Sequence, residues 1–250
     1  FQKSVVEGSL SLVLQCCMYA DLIKVSQGDE KEKYELLLDL LTPVAKAFPS
    51  EYGISSVSNA IQCFGGYGYC EDFPVEQYFR DMRIHAIHEG TTGIQGMDLL
   101  GRKILMKNGK AALLFIEEVR LTIQAAMEIK GLEFFAIELQ KAMKLLEKVA
   151  GFLFNVAKEK GIEVYLSDAT LFLEFYGLIV ISWQWLIQGI VAQKALAENC
   201  SKKDKNFYKG KVFAMNYFFR YELPKTLGLA SRLMDNDNLT IDMKTKYFKD

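Results

Sequence analysis

Apolar residues recur every three or four positions along most of the chain, which is the spacing of helices that bury one face. No stretch alternates apolar and polar residues in the period of a strand. The pattern predicts helical segments at residues 2–26, 34–48, 54–61, 74–84, 94–106, 111–129, 132–159, 163–199, 206–221 and 223–235. We therefore expect an all-α protein built from helical bundles.

Prolines and glycines mark where these helices should bend or end. Pro43 lies inside an apolar pattern, where its missing N–H should bend the helix. The run Gly65–Gly68 predicts a loop, and residues 89–93 predict a second loop that leads into the next helix. Pro74 suits the first position of a short helix, with Asp72 as its cap.

One segment, from Phe175 to Gln193, contains no charged residue and is nearly long enough to cross a bilayer. It also contains Tyr176, Gln184 and Gln188, and helical patterns continue on both sides of it. A central helix surrounded by other helices needs the same composition. We interpret the segment as a buried core helix and expect no membrane span.

Composition places the chain among soluble globular proteins, since half of its residues are apolar and about a quarter are charged. The net charge of −1 does not favour nucleic-acid binding, which usually needs a basic surface. Residues 1–108 are net acidic and residues 109–250 are net basic, which suggests two domains with these boundaries. The second region is rich in aromatic residues at helical spacings, and the lysines at 202, 203 and 205 are interpreted as a solvated turn.

The five cysteines are odd in number, and neither they nor the two histidines have a spacing typical of a metal site. We expect no metal and a reducing compartment, the cytoplasm or, in a eukaryote, the mitochondrial matrix. Because the chain begins at Phe1 inside a helical pattern, we expect it to be a fragment of a longer protein.

Chemistry-bearing residues concentrate between Ile61 and Lys103, in three motifs. The motifs are Gln62 with Gly65-Gly66-x-Gly68, then Glu76-Gln77-Tyr78-x-Arg80-Asp81, then Glu89-Gly90-Thr91 followed by Ile94-Gln95. In this order they resemble the carboxy-terminal helical domain of acyl-CoA dehydrogenases, flavoenzymes that introduce an α,β double bond into acyl-CoA thioesters. The segment Asp98–Lys103 resembles the sequence that precedes an appended helical domain in one branch of that family. The resemblance implies the first bundle at 1–108 and the appended bundle at 109–250.

The resemblance implies that Glu89 is the catalytic base. Removing a weakly acidic α-proton needs a positioned base and a donor that polarises the thioester carbonyl. The backbone N–H after Glu89 would face the thioester oxygen, so Gly90 is a candidate substrate-binding residue. His88 stands where the family usually has tyrosine, and it is a second candidate substrate-binding residue. It could hold the Glu89 carboxylate ionised or donate a hydrogen bond to it, or it could be only a surface substitution.

The cofactor that the resemblance implies is FAD, which accepts the β-hydrogen as a hydride. Gln62, Gly65 and Gly66 match the segment that contacts the adenosine-pyrophosphate end of an FAD held mainly by the neighbouring subunit. Glycine lets the backbone approach a phosphate, although Gly65 could equally serve only to end a helix. Thr91 and Gln95 match further FAD contacts.

The whole enzyme, by resemblance, acts in fatty acid metabolism, passes electrons to an electron-transfer flavoprotein and forms a homodimer or homotetramer. This chain would lack the amino-terminal domain and the middle β-domain, so we expect it to be inactive alone and not to retain FAD. Two alternatives stay open. The chain could be a non-catalytic assembly bundle, or a relative of the DNA-damage-response members that bind nucleic acid, for which the charge is unfavourable.

Overall fold

The structure is a computed structural model that describes residues 1–198, 201–235 and 237–248. Within these residues all regular structure is helical and no strand occurs, which confirms the predicted all-α class. The helices are α1 (Gln2–Val25), α2 (Gly28–Phe64), α3 (Val75–Ile84), α4 (Thr92–Asp98), α5 (Met106–Met127), α6 (Glu133–Lys160), α7 (Ile162–Leu166), α8 (Ala169–Ala197), α9 (Lys202–Tyr217), α10 (Lys225–Leu233) and α11 (Leu239–Asp242). Short 3₁₀ helices cover Gly65–Tyr69 and Thr245–Phe248, and short π-helices cover Leu99–Lys103 and Phe218–Glu222.

Helix α2 is longer than the pattern predicts, because it continues through Pro49 and joins the segments predicted separately at 34–48 and 54–61, with Pro43 also inside it. A proline inside a helix costs about 3 kcal/mol through its missing N–H and its clash with the preceding turn. The same helix buries a row of apolar side chains on both sides of Pro43, and this packing offsets the cost. The buried row is Leu36, Leu37, Leu40, Leu41, Val44, Ala47 and Phe48.

Three other helix boundaries differ from the sequence prediction. Pro74 directly precedes α3 as its cap residue instead of occupying the first helical position, and Asp72 makes no cap hydrogen bond to α3. The segment predicted as one helix at 163–199 divides into α7 and α8 near Asp168, whose ψ of 28° departs from the helical range.

Helix α9 begins at Lys202, where the Ser201 hydroxyl accepts a hydrogen bond from the Asp204 N–H. The lysines interpreted as a turn therefore lie in the first part of a helix.

Helix α8 is the central element of the fold. It contacts α1, α2, α4, α5, α6, α9 and α10, and Trp183, Trp185 and Phe175 on it are almost completely buried. Among the described residues two helices, α1 and α8, are long and apolar enough to cross a membrane, but 78% of the apolar stretch of α8 is buried inside the protein. The interpretation of residues 175–193 as a buried core helix is confirmed. In α1 only 28% of the corresponding stretch is buried.

Core packing continues across residue 108, the proposed domain boundary. The backbone turns there, since Lys107, Asn108 and Gly109 all have positive φ. The Trp185 indole N–H nevertheless donates to the Ser4 carbonyl oxygen at 2.9 Å, and the rings of Phe48 and Phe218 lie 6.3 Å apart. Helices from both regions thus share one cluster of buried residues. The assignment of two separate domains stays a prediction.

Candidate active site

Glu89 lies in the short loop between α3 and α4. It is one of the non-glycine residues with positive φ, at 47°, and Gly90 beside it has φ 88°. A left-handed backbone costs a residue other than glycine about 1–2 kcal/mol, so the surrounding contacts must hold Glu89 in this conformation. The Thr92 N–H closes the loop by donating to the Ala86 carbonyl oxygen at 3.3 Å.

Two side chains of α2 bind this loop. The Lys46 ammonium donates to the Gly90 carbonyl oxygen at 2.6 Å. The Thr92 hydroxyl donates to the Glu51 carboxylate. Both contacts connect residues more than 40 positions apart, so they form only when α2 packs beside the loop.

An open cleft of about 360 Å³ lies between the loop, α2 and α3. Its lining residues are Ala45, Lys46, Pro49, Ser50, Met82, His85, His88 and Glu89. Glu89 is exposed, and the rings of His85 and His88 meet edge to face with their centroids 5.6 Å apart. The cleft thus brings the predicted base together with His88, and with Lys46, which the sequence analysis did not single out.

Thr91 and Gln95 lie on the α4 side of the loop. The Thr91 hydroxyl caps α4 by accepting the Ile94 N–H at 3.4 Å. The amide nitrogen of Gln95 lies so close to Gly90 that a Cβ on this glycine would stand 2.4 Å from it. Five of the residues predicted from the motif therefore form one neighbourhood, namely His88, Glu89, Gly90, Thr91 and Gln95.

The glycine turn at the end of α2 forms a second, separate group. Gly65 has φ 60° and ψ −140°, and its N–H donates to the Gln62 carbonyl oxygen. A Cβ added to Gly65 or Gly66 would meet no atom within 4 Å, so this edge of the backbone is open to a ligand. At 1.5 Å per helical residue, Gln62 lies roughly 24 Å along α2 from Lys46. The two groups therefore do not form a single pocket within one chain.

Glu76 and Arg80, in the middle motif, form an ion pair within α3. The Arg80 guanidinium donates to both carboxylate oxygens of Glu76, at 3.0 and 3.1 Å. This pairing raises the pKa of Arg80, first through the hydrogen bond and then through the charge of Glu76. The middle motif therefore forms an ion pair within α3, the helix that precedes the Glu89 loop.

A larger cavity, of about 420 Å³, lies on another side of α2 and was not predicted from the sequence. Tyr52 stacks on Phe48 in its wall, with the ring centroids 4.1 Å apart. Burial, followed by the charges of Glu174 and Glu222, raises the pKa of Tyr52. The cavity joins residues of α2, α4 and α8 with Lys225, and no local motif could have indicated it because it depends on how distant helices pack.

In the part of the chain that the structure describes, no group of three or more His, Cys, Asp and Glu side chains is arranged to hold a metal ion. Cys16, Cys17, Cys63 and Cys70 are free thiols. The fifth cysteine, Cys200, lies outside the described residues.

Comparison with known proteins defines the class of this chain. Residues 14–105 match the family described as acyl-CoA dehydrogenase, C-terminal domain. Residues 115–244 match the family described as acetyl-CoA dehydrogenase C-terminal like. The chain belongs to the acyl-CoA dehydrogenase family of oxidoreductases and corresponds to its C-terminal part.

Curated relatives match almost the whole chain. A broad-specificity linear acyl-CoA dehydrogenase of Mycobacterium tuberculosis is 28% identical over 96% of this chain and 41% of its own length. A 3-methylmercaptopropionyl-CoA dehydrogenase of Ruegeria pomeroyi is 28% identical over 93% of this chain and 39% of its own. The chain thus spans about 40% of the length of the relatives it matches.

Solved structures share the fold. An acyl-CoA dehydrogenase from Bacillus anthracis, complexed with FAD, superposes with a TM-score of 0.69 at 18% identity, over 93% of this chain and 40% of that one. Caenorhabditis elegans ACDH-11, in complex with C11-CoA, gives a TM-score of 0.65 at 21% identity, over 97% of this chain and 39% of that one. At these identities the similarity establishes the helical arrangement alone.

Proposed function

We propose that the full-length protein catalyses α,β-dehydrogenation of an acyl-CoA thioester, with Glu89 as the base. The observation that carries this proposal is the conformation of the loop. Glu89 is held with a left-handed backbone at the edge of the cleft, and its carboxylate is exposed to that cleft. Such backbone strain is often found where a side chain must be aimed at a reacting atom.

The carboxylate of Glu89 would take the α-proton of the substrate. The N–H of Gly90 would donate to the thioester oxygen and stabilise the negative charge that develops there. His88, in the same cleft, would contact the substrate or donate a hydrogen bond to the carboxylate. These roles need only residues of the loop, which explains why they lie within three consecutive positions.

The residues that the family motif assigns to FAD are compatible with such a ligand. Gln62, Gly65 and Gly66 would contact the adenosine-pyrophosphate end, because the open glycine edge lets a phosphate approach the backbone N–H groups. Thr91 and Gln95 would contact the cofactor near the base. Bound FAD would supply the hydride acceptor for the β-hydrogen.

The roughly 24 Å along α2 between Gln62 and Lys46 supports a shared arrangement, in which the glycine turn serves an FAD held mainly by a neighbouring subunit. The protein would then be a homodimer or homotetramer, with electron-transfer flavoprotein as its redox partner, in the cytoplasm or the mitochondrial matrix. The isolated chain would not retain FAD, because most of the binding surface would come from outside it. The FAD and C11-CoA with which the two similar structures are complexed support the choice of ligands.

Substitution of the proposed base tests the function directly. In the full-length protein, Glu89→Gln should reduce the rate of flavin bleaching by acyl-CoA by about 10³-fold, because the amide cannot accept the α-proton. The measurement is anaerobic stopped-flow absorbance of the oxidised flavin, with a panel of linear acyl-CoAs. FAD content should stay at the wild-type level.

Glu128→Gln is the matched control, since Glu128 is an exposed carboxylate at the end of α5, outside the cleft. It should bleach at the wild-type rate. Wild-type bleaching by Glu89→Gln would refute the assignment of the base.

A further inference from the structure

The loop that carries Glu89 needs an external support. Glu89 and Gly90 both have positive φ, and Glu89 has a Cβ that disfavours this conformation. The hydrogen bond from Thr92 to Ala86 closes the loop but does not reach the Glu89–Gly90 turn itself. Contacts from the neighbouring helix must therefore decide which way the turn faces.

Lys46 provides the contact at the turn. Its ammonium donates to the Gly90 carbonyl oxygen at 2.6 Å, in a partly buried position that also lines the cleft. A charged donor forms a stronger hydrogen bond to a carbonyl than a neutral one does. The held oxygen belongs to the residue directly after Glu89, so the contact limits rotation of the Gly90–Thr91 peptide, one position beyond the base.

Glu51 fixes the other end of the loop by accepting the hydrogen bond of the Thr92 hydroxyl. Lys46 and Glu51 both belong to α2, whose position is set by the buried row from Leu36 to Phe48. A rigid helix thus holds the loop at two points on either side of Thr91. Support from a packed helix defines geometry better than support from another loop.

We propose that Lys46 is a positioning residue for Glu89. By holding the Gly90 carbonyl oxygen, Lys46 sets the direction of the Glu89 carboxylate and of the Gly90 N–H toward the thioester. The proposal rests on the proposed function of Glu89. Lys46 does not exchange a proton with the substrate, so its loss should affect the chemical step and leave substrate binding in place.

The kinetic test uses Lys46→Met in the full-length protein, because methionine keeps much of the side-chain length but has no donor. With the linear acyl-CoA that reduces the wild-type flavin fastest, we expect the limiting rate of anaerobic flavin reduction to fall about 10- to 100-fold. A displacement of about 1 Å at a reacting group has an effect of this size. The Kd of the acyl-CoA, from titration of the Glu89→Gln background with and without Lys46→Met, should change by less than about twofold.

Two further variants complete the test. Lys46→Arg keeps a charged donor and should recover at least about half of the lost rate on a logarithmic scale. Lys33→Met removes another lysine of α2, which pairs with Glu118 away from the loop, and should keep the wild-type rate. If only the general loss of a lysine from α2 mattered, Lys46→Met and Lys33→Met would have the same rate.

A second measurement does not depend on catalysis. In the 250-residue chain, hydrogen exchange of the peptide that covers residues 86–92 should be at least about fivefold faster in Lys46→Met than in Lys33→Met. This comparison stays available if the full-length variant binds no flavin. Equal exchange in the two variants would overturn the proposal.

The kinetic results separate the two proposals. If Glu89→Gln abolishes bleaching but Lys46→Met keeps the wild-type limiting rate, the role of Lys46 is wrong and the base assignment stands. A raised Kd with an unchanged limiting rate would make Lys46 a direct substrate contact, which also overturns the positioning role. If Glu89→Gln bleaches normally, the proposed function itself has failed.

Discussion

Individual residues in the Glu89 loop follow the family motif except at His88, and the sequence was sufficient to find them. His88, Glu89, Gly90, Thr91 and Gln95 were predicted from their order, and the structure brings all five together around one loop. Lys46 was not predicted, because its partner is the Gly90 carbonyl oxygen 44 positions away. A backbone acceptor leaves no signature in the sequence.

Gly96 illustrates a single-residue requirement that the sequence does not reveal. A Cβ at this position would stand 2.7 Å from the Ala169 carbonyl oxygen, because α4 crosses the start of α8 there. We predict that Gly96→Ala lowers the free energy of unfolding by about 1–3 kcal/mol, since neither backbone can move easily. Urea unfolding followed by circular dichroism measures the change.

Gly151→Ala is the control for this prediction. Gly151 lies inside α6, and a Cβ there would meet nothing within 4 Å. Alanine should stabilise the helix at this position by about 0.5–1 kcal/mol. Equal effects of the two substitutions would contradict the close contact at Gly96.

At the scale of elements, α8 shows how burial resolves an ambiguity in composition. Its uncharged apolar run is typical both of a membrane helix and of a core helix. The structure surrounds it with seven other helices. Two of its polar side chains have partners there, since Ser11 donates to the Gln184 side-chain oxygen at 2.8 Å and the Trp183 indole N–H donates to the Thr122 hydroxyl at 2.8 Å.

Truncation of a central residue of α8 should therefore be costly. Phe175 has no exposed surface, and we predict that Phe175→Ala lowers the free energy of unfolding by about 3–5 kcal/mol through lost burial and the cavity that remains. Val191, on the same helix, is 56% exposed, so Val191→Ala should change the free energy of unfolding by less than about 0.5 kcal/mol. Chemical denaturation of both variants is the measurement, and a small effect of Phe175→Ala would show that α8 is not the core helix.

At the scale of the whole molecule, burial of tyrosines links stability to pH. Burial raises the pKa of Tyr165 to about 12 and raises the pKa of Tyr19, Tyr52 and Tyr176 as well. In the unfolded chain these groups ionise near pH 10. The unfolded state therefore loses protons first, and stability that is fully present below pH 10 is lost as pH rises above it.

Tyr176 isolates this effect, because its hydroxyl is buried and has no hydrogen-bond partner among the described residues. Between pH 9 and pH 11 the free energy of unfolding should fall in both proteins. We predict that the fall is about 1.4 kcal/mol smaller in Tyr176→Phe than in the wild type, since one ionisation is removed from the unfolded state. Tyr69→Phe, at a position that is 88% exposed, should follow the wild type. Urea unfolding at the two pH values is the measurement, and an identical loss in all three proteins would contradict the prediction.

The sequence by itself determined the all-α class, most helices and the residues of the Glu89 loop, because helical periodicity, glycine turns and motif order are local properties of the chain. It misjudged the helix end at Pro49 of α2 and the division between α7 and α8, where packing outweighs local preference. Only the tertiary structure decided that Lys46 and Glu51 hold the loop and that a second cavity opens beside α2. These features join residues that are distant in the chain, and only the packing of whole helices brings such residues together.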